Sequence, residues 1–274
     1  MKKLIIITII VDILISILGC SENSNIMSEN NQLEIIVINA GKADACIIKI
    51  GHKAILIDTG LNADKDELVN RLKEEGINTL EYLILTHNDK DHIGGADKVL
   101  DNIKINNVIA ADYVKESKQY TQYIESLEKN NITPLNLKEN LNAEIDGVSI
   151  NIYPAQKEYY EQSNDYSIIT EITYGKYNYL FAGDAEDERL SEFLSSNSSR
   201  YTFVKMPHHG AYDGLTDTFI KSVKPQYAVI TCSKEDYADK KTLELLKQNN
   251  SKIYLTCEGD VIIKSDGNSI SIEQ

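Results

Sequence analysis

The chain has 274 residues, with 28 basic and 42 acidic side chains and a formal net charge of −14, a balance that argues against a broad electrostatic surface for nucleic acid or an anionic bilayer. It leaves a nucleic-acid substrate open, because a local cation site reverses the field where it sits. Hydrophobic content of 42% and charged content of 26% are ordinary for a soluble globular domain, and the cysteines (Cys20, Cys46, Cys232, Cys257) lack the CxxC spacing of a structural zinc site.

Residues 1–20 open with Met1-Lys2-Lys3, continue through the apolar run LIIITIIVDILISIL and end Gly19-Cys20. A basic start, an apolar centre and a small residue before a cut are what a secretory signal requires. Ile17-Leu18-Gly19-Cys20 resembles the lipobox of bacterial lipoproteins, in which the cysteine is acylated. The expectation is a signal peptide over 1–19 and lipidation of Cys20. Export would then attach the protein to the outer face of the cytoplasmic membrane through its lipid anchor. The polar stretch 20–32 reads as a flexible tether and 33–274 as one domain. With Cys20 acylated, Cys46 reads as a buried small hydrophobe, and Cys232 and Cys257 stay open as a pair.

From Leu33 onward LEIIVINA, DACIIKI and KAILIDTG are short, apolar, β-branched segments joined by turn residues, as in consecutive strands. Residues 64–75 have helical spacing and stop at Gly76. TLEYLILTH is a strand that runs into a charged loop; a helix over 95–103, the strand NVIAAD and a helix over 116–130 follow. In the second half VSINIYP, SIITEITYG and YNYLFAGD are strands and AEDERLSEFLSS a helix. TFVKMPHHG is a strand end, PQYAVITCS a strand, 240–248 a helix, and KIYLTC and DVIIKS closing strands. Interleaved helices and strands, with antiparallel runs at the start of each half, predict an α/β (α+β) fold of two mixed sheets packed together.

The histidines are His52, His87, His92, His208 and His209. Four fall in two clusters, each after a strand; His52 sits in a turn and reads as structural or solvated. The first cluster, Thr86 to Gly95, places His87, Asp89, Asp91 and His92 within six residues. Imidazole and carboxylate together suit Zn²⁺, Mn²⁺ or Fe²⁺, with zinc–ligand distances of ~2.0–2.2 Å. The second cluster is Lys205-Met206-Pro207-His208-His209-Gly210. Two acids, Asp58 and Asp184, end apolar strands beside glycine. Each alone reads as a turn residue; together they supply what a two-metal site needs, a bridging carboxylate and one that orients a ligand histidine.

These residues carry a resemblance. THNDKDHIGG is similar to the HxHxDH signature of the metallo-β-lactamase superfamily, in the HxDxDH version of the ComEC C-terminal hydrolase domain branch. NAGKADA (39–45), LIDTG (56–60), NDYS (164–167), LFAGD (180–184) and VKMPHHGA (204–211) match further segments of that branch in the same order. The resemblance implies an αββα four-layer sandwich and a centre of two divalent ions, Zn²⁺ or Mn²⁺. His87 and Asp89 would hold one ion, Asp91 and His92 the other, with Asp184 between them and His208 or His209 completing the second. Asn164 stands where many members carry another metal histidine, and Asp58 would steady the ligand loop from behind. Asp91 would orient the attacking hydroxide; Lys205, His208 or His209 would neutralise developing charge. The chain departs from the branch at Asn39, at Lys42 and at Tyr237-Ala238-Asp239-Lys240, where a late histidine is missing.

The function expected from the resemblance is metal-dependent hydrolysis of a phosphodiester in a small molecule or a polymer, such as extracellular nucleic acid or an envelope polymer. Two alternatives stand beside it: another ester, lactone or amide hydrolase of the same fold, and a non-catalytic envelope binding protein.

Overall fold

Alternation of apolar residues builds the frame of the molecule, because successive side chains of a strand point to opposite faces. The computed structural model describes residues 32–274; the expected signal peptide, the acylation site at Cys20 and all but the last residue of the tether lie outside the described residues. The first half runs β1 (Leu33–Val37), β2 (Cys46–Ile50), β3 (Lys53–Ile57), α1 (Lys65–Glu74), β4 (Thr79–Leu85), α2 (Ala96–Asn102), β5 (Lys104–Ala110), α3 (Lys118–Lys129) and β6 (Leu135–Asn136). The second half runs β7 (Leu141–Ile145), β8 (Val148–Tyr153), β9 (Ile169–Tyr174), β10 (Tyr177–Phe181), α4 (Asp187–Ser196), β11 (Phe203–Lys205), α5 (Thr216–Val223), β12 (Tyr227–Ile230), α6 (Lys240–Gln248) and β13 (Lys252–Leu255). Two closing strands, β14 (Val261–Ser265) and β15 (Ile270–Glu273), return to the first sheet beside β1.

The sheets have the orders β15-β14-β1-β2-β3-β4-β5-β6 and β13-β12-β11-β10-β9-β8-β7. Each half starts antiparallel and turns parallel: β3, β4, β5 and β6 run parallel, as do β10, β11, β12 and β13. Parallel neighbours require crossovers, and α1, α2, α3, α4, α5 and α6 make them. Ile35 of β1, Ile48 of β2 and Val229 of β12 share one apolar cluster with residues of both sheets. Their neighbours Ile36 and Ile47 pack in a second cluster with Leu68 and Leu72 of α1 and Tyr123 of α3. Ala228 packs in a third with Phe193 of α4 and Phe219 of α5. The layers are therefore helix, sheet, sheet, helix. Each fully buried Ile or Leu in them contributes about 1.5–3 kcal/mol of transfer free energy.

Four elements escape the sequence pattern, among them the two-residue β6. β7 interleaves Asn142 and Glu144, residues depleted in strands, and β15 has only four residues. α5 contains Thr, Ile and Val, which form helices poorly; burial of Phe219, Ile220 and Val223 fixes it. Among the described residues no helix is long and apolar enough to cross a membrane.

Candidate metal centre

Ligand sites in parallel α/β sheets gather at the C-terminal ends of the strands, and both sheets here open such ends toward the same cleft. Asp58 follows β3, the loop Thr86–His92 follows β4, Asp184 follows β10, His208 and His209 follow β11, and Thr231 follows β12. Close backbone contacts set these loops. A Cβ on Gly94 would come within 2.4 Å of the Asn62 nitrogen and 2.5 Å of the Gly60 oxygen, so only glycine fits there. At Gly183 (φ +54°) a Cβ would stand 3.0 Å from Thr86 Cβ, which lets the Asp184 turn close onto the histidine loop.

Hydroxyl protons decide how three imidazoles face. Thr231 Oγ1 donates to Asp44 Oδ1 at 2.7 Å, and a carboxylate only accepts. The contact between Thr231 Oγ1 and His209 Nδ1 (2.8 Å) must then be donated by the ring. Likewise Thr86 Oγ1 donates to Asp58 Oδ2 at 2.7 Å, so His87 Nδ1, 3.1 Å away, is the donor in that pair. His92 Nδ1 donates to Asp58 Oδ2 at 2.8 Å, and Asp58 also accepts from the Thr86 amide. All three rings thus spend Nδ1 on the scaffold and turn Nε2 inward.

The inward atoms converge. Asp91, His92, Asp184 and His209 each offer one ligand atom, and these lie within 4.8 Å of one another. His92 Nε2 and His209 Nε2 are each 3.2 Å from Asp184 Oδ2, and His209 Nε2 is 3.4 Å from Asp91 Oδ2. The Nε2 atoms of His87, His92 and His209 and Asp184 Oδ1 are buried with no hydrogen-bond partner among the described residues. Orphaned buried polar atoms are costly, and a set of imidazole nitrogens and carboxylate oxygens is what Zn²⁺, Mn²⁺ or Fe²⁺ takes up. The residues fit a divalent cation.

Electrostatics point the same way. Burial opposes charge on His92, but Asp184 and Asp58 outweigh it and hold its pKa well above the ordinary value. His209, also against burial, is raised by Asp184 and its other acidic neighbours to about 9. Asp184 is held well below the carboxylate range by His209 and His92 despite its burial. His87 behaves oppositely: burial, aided by His92, pushes it down to about 3, so its ring is neutral. These directions favour a proton on His92 and on His209 in the metal-free nest, protons that a cation would displace.

The structure separates several of the expected residues. His209, not His208, joins Asp91, His92 and Asp184; both tandem histidines have left-handed backbones (φ 50° and 46°), and their rings stand 6.3 Å apart. His208 faces Glu186 Oε1 and Asp213 Oδ2, each at 3.1 Å, and the amide of Asn164 donates to Glu186 Oε1 at 2.7 Å. Asp89 lies outside the four-residue group: Lys115 and Ser163 occupy its oxygens. The expectation that Lys205 meets substrate charge is corrected. Its ammonium is only 2% exposed, bonded to Asp44 and the Gly183 carbonyl and 3.6 Å from Asp184 Oδ1, so it serves the protein's own carboxylates from beneath. Asp44, Thr86, Thr231 and Lys115 are site residues that sequence reasoning missed. Asp44 and Thr86 carried a signal, their places inside the matched segments NAGKADA and THNDKDHIGG.

A four-layer αββα sandwich with a His/Asp nest at its parallel strand ends defines the class of metallo-β-lactamase-fold proteins. The chain belongs to the metallo-beta-lactamase superfamily, whose family model matches residues 39–234. It is 23% identical over 252 residues to ComE operon protein 3 of Bacillus subtilis (strain 168), which covers 84% of this chain and 32% of that protein. The chain thus spans about a third of that relative's length. Among solved structures, the metallo-beta-lactamase fold protein YhfI from Bacillus subtilis superposes with a TM-score of 0.59 at 11% identity, over 85% of this chain and 100% of that one. A diphosphatase from the PhnP family superposes with a TM-score of 0.50 at 14% identity, over 85% and 98%. The ComEC-branch resemblance holds across these findings, and the two structural likenesses show the fold.

Proposed function

We propose that the chain is a metal-dependent hydrolase of phosphodiester bonds in a small molecule or polymer, working at two divalent ions, Zn²⁺ or Mn²⁺. One observation carries it: three buried imidazole Nε2 atoms and Asp184 Oδ1 gather at the strand ends with no hydrogen-bond partner among the described residues. Asp91, His92, Asp184 and His209 would hold one ion; His87 and Asp89, with Asp184 between, would hold the other. Bound there, such ions supply Lewis acidity and lower the pKa of water toward neutrality.

The chain's own groups then have distinct tasks. Asp91 is the more open carboxylate of its group, with its side chain 26% exposed, and it orients the attacking hydroxide. Asp58 and Thr231 fix the rings of His92 and His209. Lys205 balances Asp44 and Asp184 from below. His208, partly exposed between Glu186 and Asp213, meets charge on the leaving oxygen. The phosphodiester reading is supported by the likeness to ComE operon protein 3 and, at the level of fold, to the PhnP-family diphosphatase. A cation centre in an otherwise acidic chain also concentrates positive field at one point, where a phosphate would go.

Turnover of bis-p-nitrophenyl phosphate against nitrocefin tests the reading. Protein loaded with Mn²⁺ or Zn²⁺ should cleave the phosphodiester and leave the β-lactam intact, and Asp184→Asn should abolish cleavage. Metal-loaded protein inert toward every phosphoester would sink it. From residues 1–20 we further infer export and anchoring through acylated Cys20.

A further inference from the structure

The two cation positions are built unequally. Asp91, His92, Asp184 and His209 hold their ligand atoms within 4.8 Å of one another. At the second position His87 presents a buried, unpartnered Nε2, but Asp89 is already engaged. Lys115 Nζ donates to Asp89 Oδ1 and to Ser163 Oγ (3.0 Å), and Ser163 Oγ donates to Asp89 Oδ2 at 3.1 Å. Tyr113 Oη lies 3.5 Å from the same Oδ1.

This triangle is held from both sides. Tyr113 Oη accepts the Asn88 amide at 2.8 Å, and the Asn88 side chain donates to the Tyr113 carbonyl at 2.6 Å. Tyr113 stacks on Tyr166 at 4.0 Å, next to the loop that bears Ser163. The loop carrying Lys115 is thereby pinned to the loop carrying Asp89. Asn164 spends its amide on Glu186.

We propose that Lys115 stands in for the second cation at Asp89, so that the four-ligand position loads first and the second ion binds only by displacing the Lys115 ammonium. This rests on reading the nest as a metal centre. Both groups are part-buried, Lys115 at 30% and Asp89 at 26% exposed side chain, so the ammonium–carboxylate bond is only partly screened. An entering cation cannot share Asp89 Oδ1 with an ammonium, and giving up one charge-assisted bond weakens the second site by roughly tenfold. A weak second site makes the protein's fully loaded fraction follow the free cation concentration.

The test is calorimetric titration of the full chain with Mn²⁺ and with Zn²⁺, together with metal counts after desalting. Wild type should retain one ion and bind a second roughly tenfold or more weakly. Lys115→Met should close that gap, because Asp89 then lacks its internal cation. Lys115→Arg should keep the gap, and Asp89→Asn should remove the second step while sparing the first. Two ions of equal affinity in wild type, or an unchanged gap in Lys115→Met, overturns the proposal while the metal centre stands. Failure of wild type to bind any ion removes the metal-centre reading and this proposal together.

Discussion

Thr231 Oγ1 lies 2.8 Å from His209 Nδ1 and 2.7 Å from Asp44 Oδ1, and its single proton goes to the carboxylate. The ring must therefore donate Nδ1–H to the hydroxyl, which leaves Nε2 facing Asp184, to carry a proton toward the carboxylate or to offer its lone pair to a cation. Asp44, 187 residues away in the chain, sets the face of His209 through one hydroxyl. Groups that orient a ligand in this way typically account for 10–100-fold in metal affinity.

Thr231→Val keeps the shape and removes the hydroxyl. The expected outcome is an affinity for the tightly held ion lower by roughly 10–100-fold, with the folded far-ultraviolet spectrum retained. Titration with a competing chelator measures it. An affinity equal to wild type would show that the ring needs no guide.

The raised pKa of His209 gives a second expectation with a definite sign. Its ordinary value of 6.5 goes up to about 9 in the fold. A pKa raised on folding adds stability that is fully present below about 6.5 and is lost as pH climbs through about 9. Metal-free protein should therefore lose roughly 2–3 kcal/mol between pH 6.5 and 9 from this group. Cation binding displaces the same proton, so apparent metal affinity should rise over that interval. Urea midpoints of metal-free protein at pH 6 and 9 check the first half, and pH-resolved titrations the second. A flat stability profile would mean that His209 is neutral without the cation.

Much of this arrangement was legible in the residues. The short β-branched runs LEIIV and CIIKI are the strands β1 and β2 as read, and Asp58 and Asp184 end their strands where the sequence placed them. What stayed hidden is side-chain partnership across the chain. Nothing in NAGKADA marks Asp44 as the acceptor for Thr231 or the counterion of Lys205. Tandem His208-His209 reads as one motif, yet two successive left-handed residues send the rings to different carboxylate groups. Lys115 sits in a loop without periodicity, and its bond to Asp89 exists only because Tyr113 and Asn88 tie two loops together.

The N-terminal address is tested in cells. With Cys20 acylated, the protein should fractionate with membranes and label with a palmitate analogue. Cys20→Ser should remove the label and the lipid-dependent attachment. An unlabelled, membrane-bound wild type would instead indicate an uncleaved apolar anchor.

Cys232 and Cys257 bring the last expectation. Their sulfurs stand 3.4 Å apart as free thiols, at the ends of the neighbouring parallel strands β12 and β13. The backbone on both sides is already joined: the Cys232 amide donates to Thr256 Oγ1 at 3.1 Å. Little movement separates the thiols from a bond, and the more open Cys257 gives an oxidant access while Cys232 is buried. In an oxidising compartment a dithiol this close forms a disulfide at the expense of a small-molecule or oxidoreductase disulfide, losing two protons and two electrons to it. The closed loop has a separation of 25 residues, for which the chain-entropy model gives about 3–4 kcal/mol. Protein exposed to oxidised glutathione should lose two free thiols by alkylation count and gain urea resistance that dithiothreitol reverses. The bond would also brace Thr231, the residue preceding Cys232, and so hold the support of His209. Persistent alkylation of both thiols under oxidising conditions would show that the strands keep them apart.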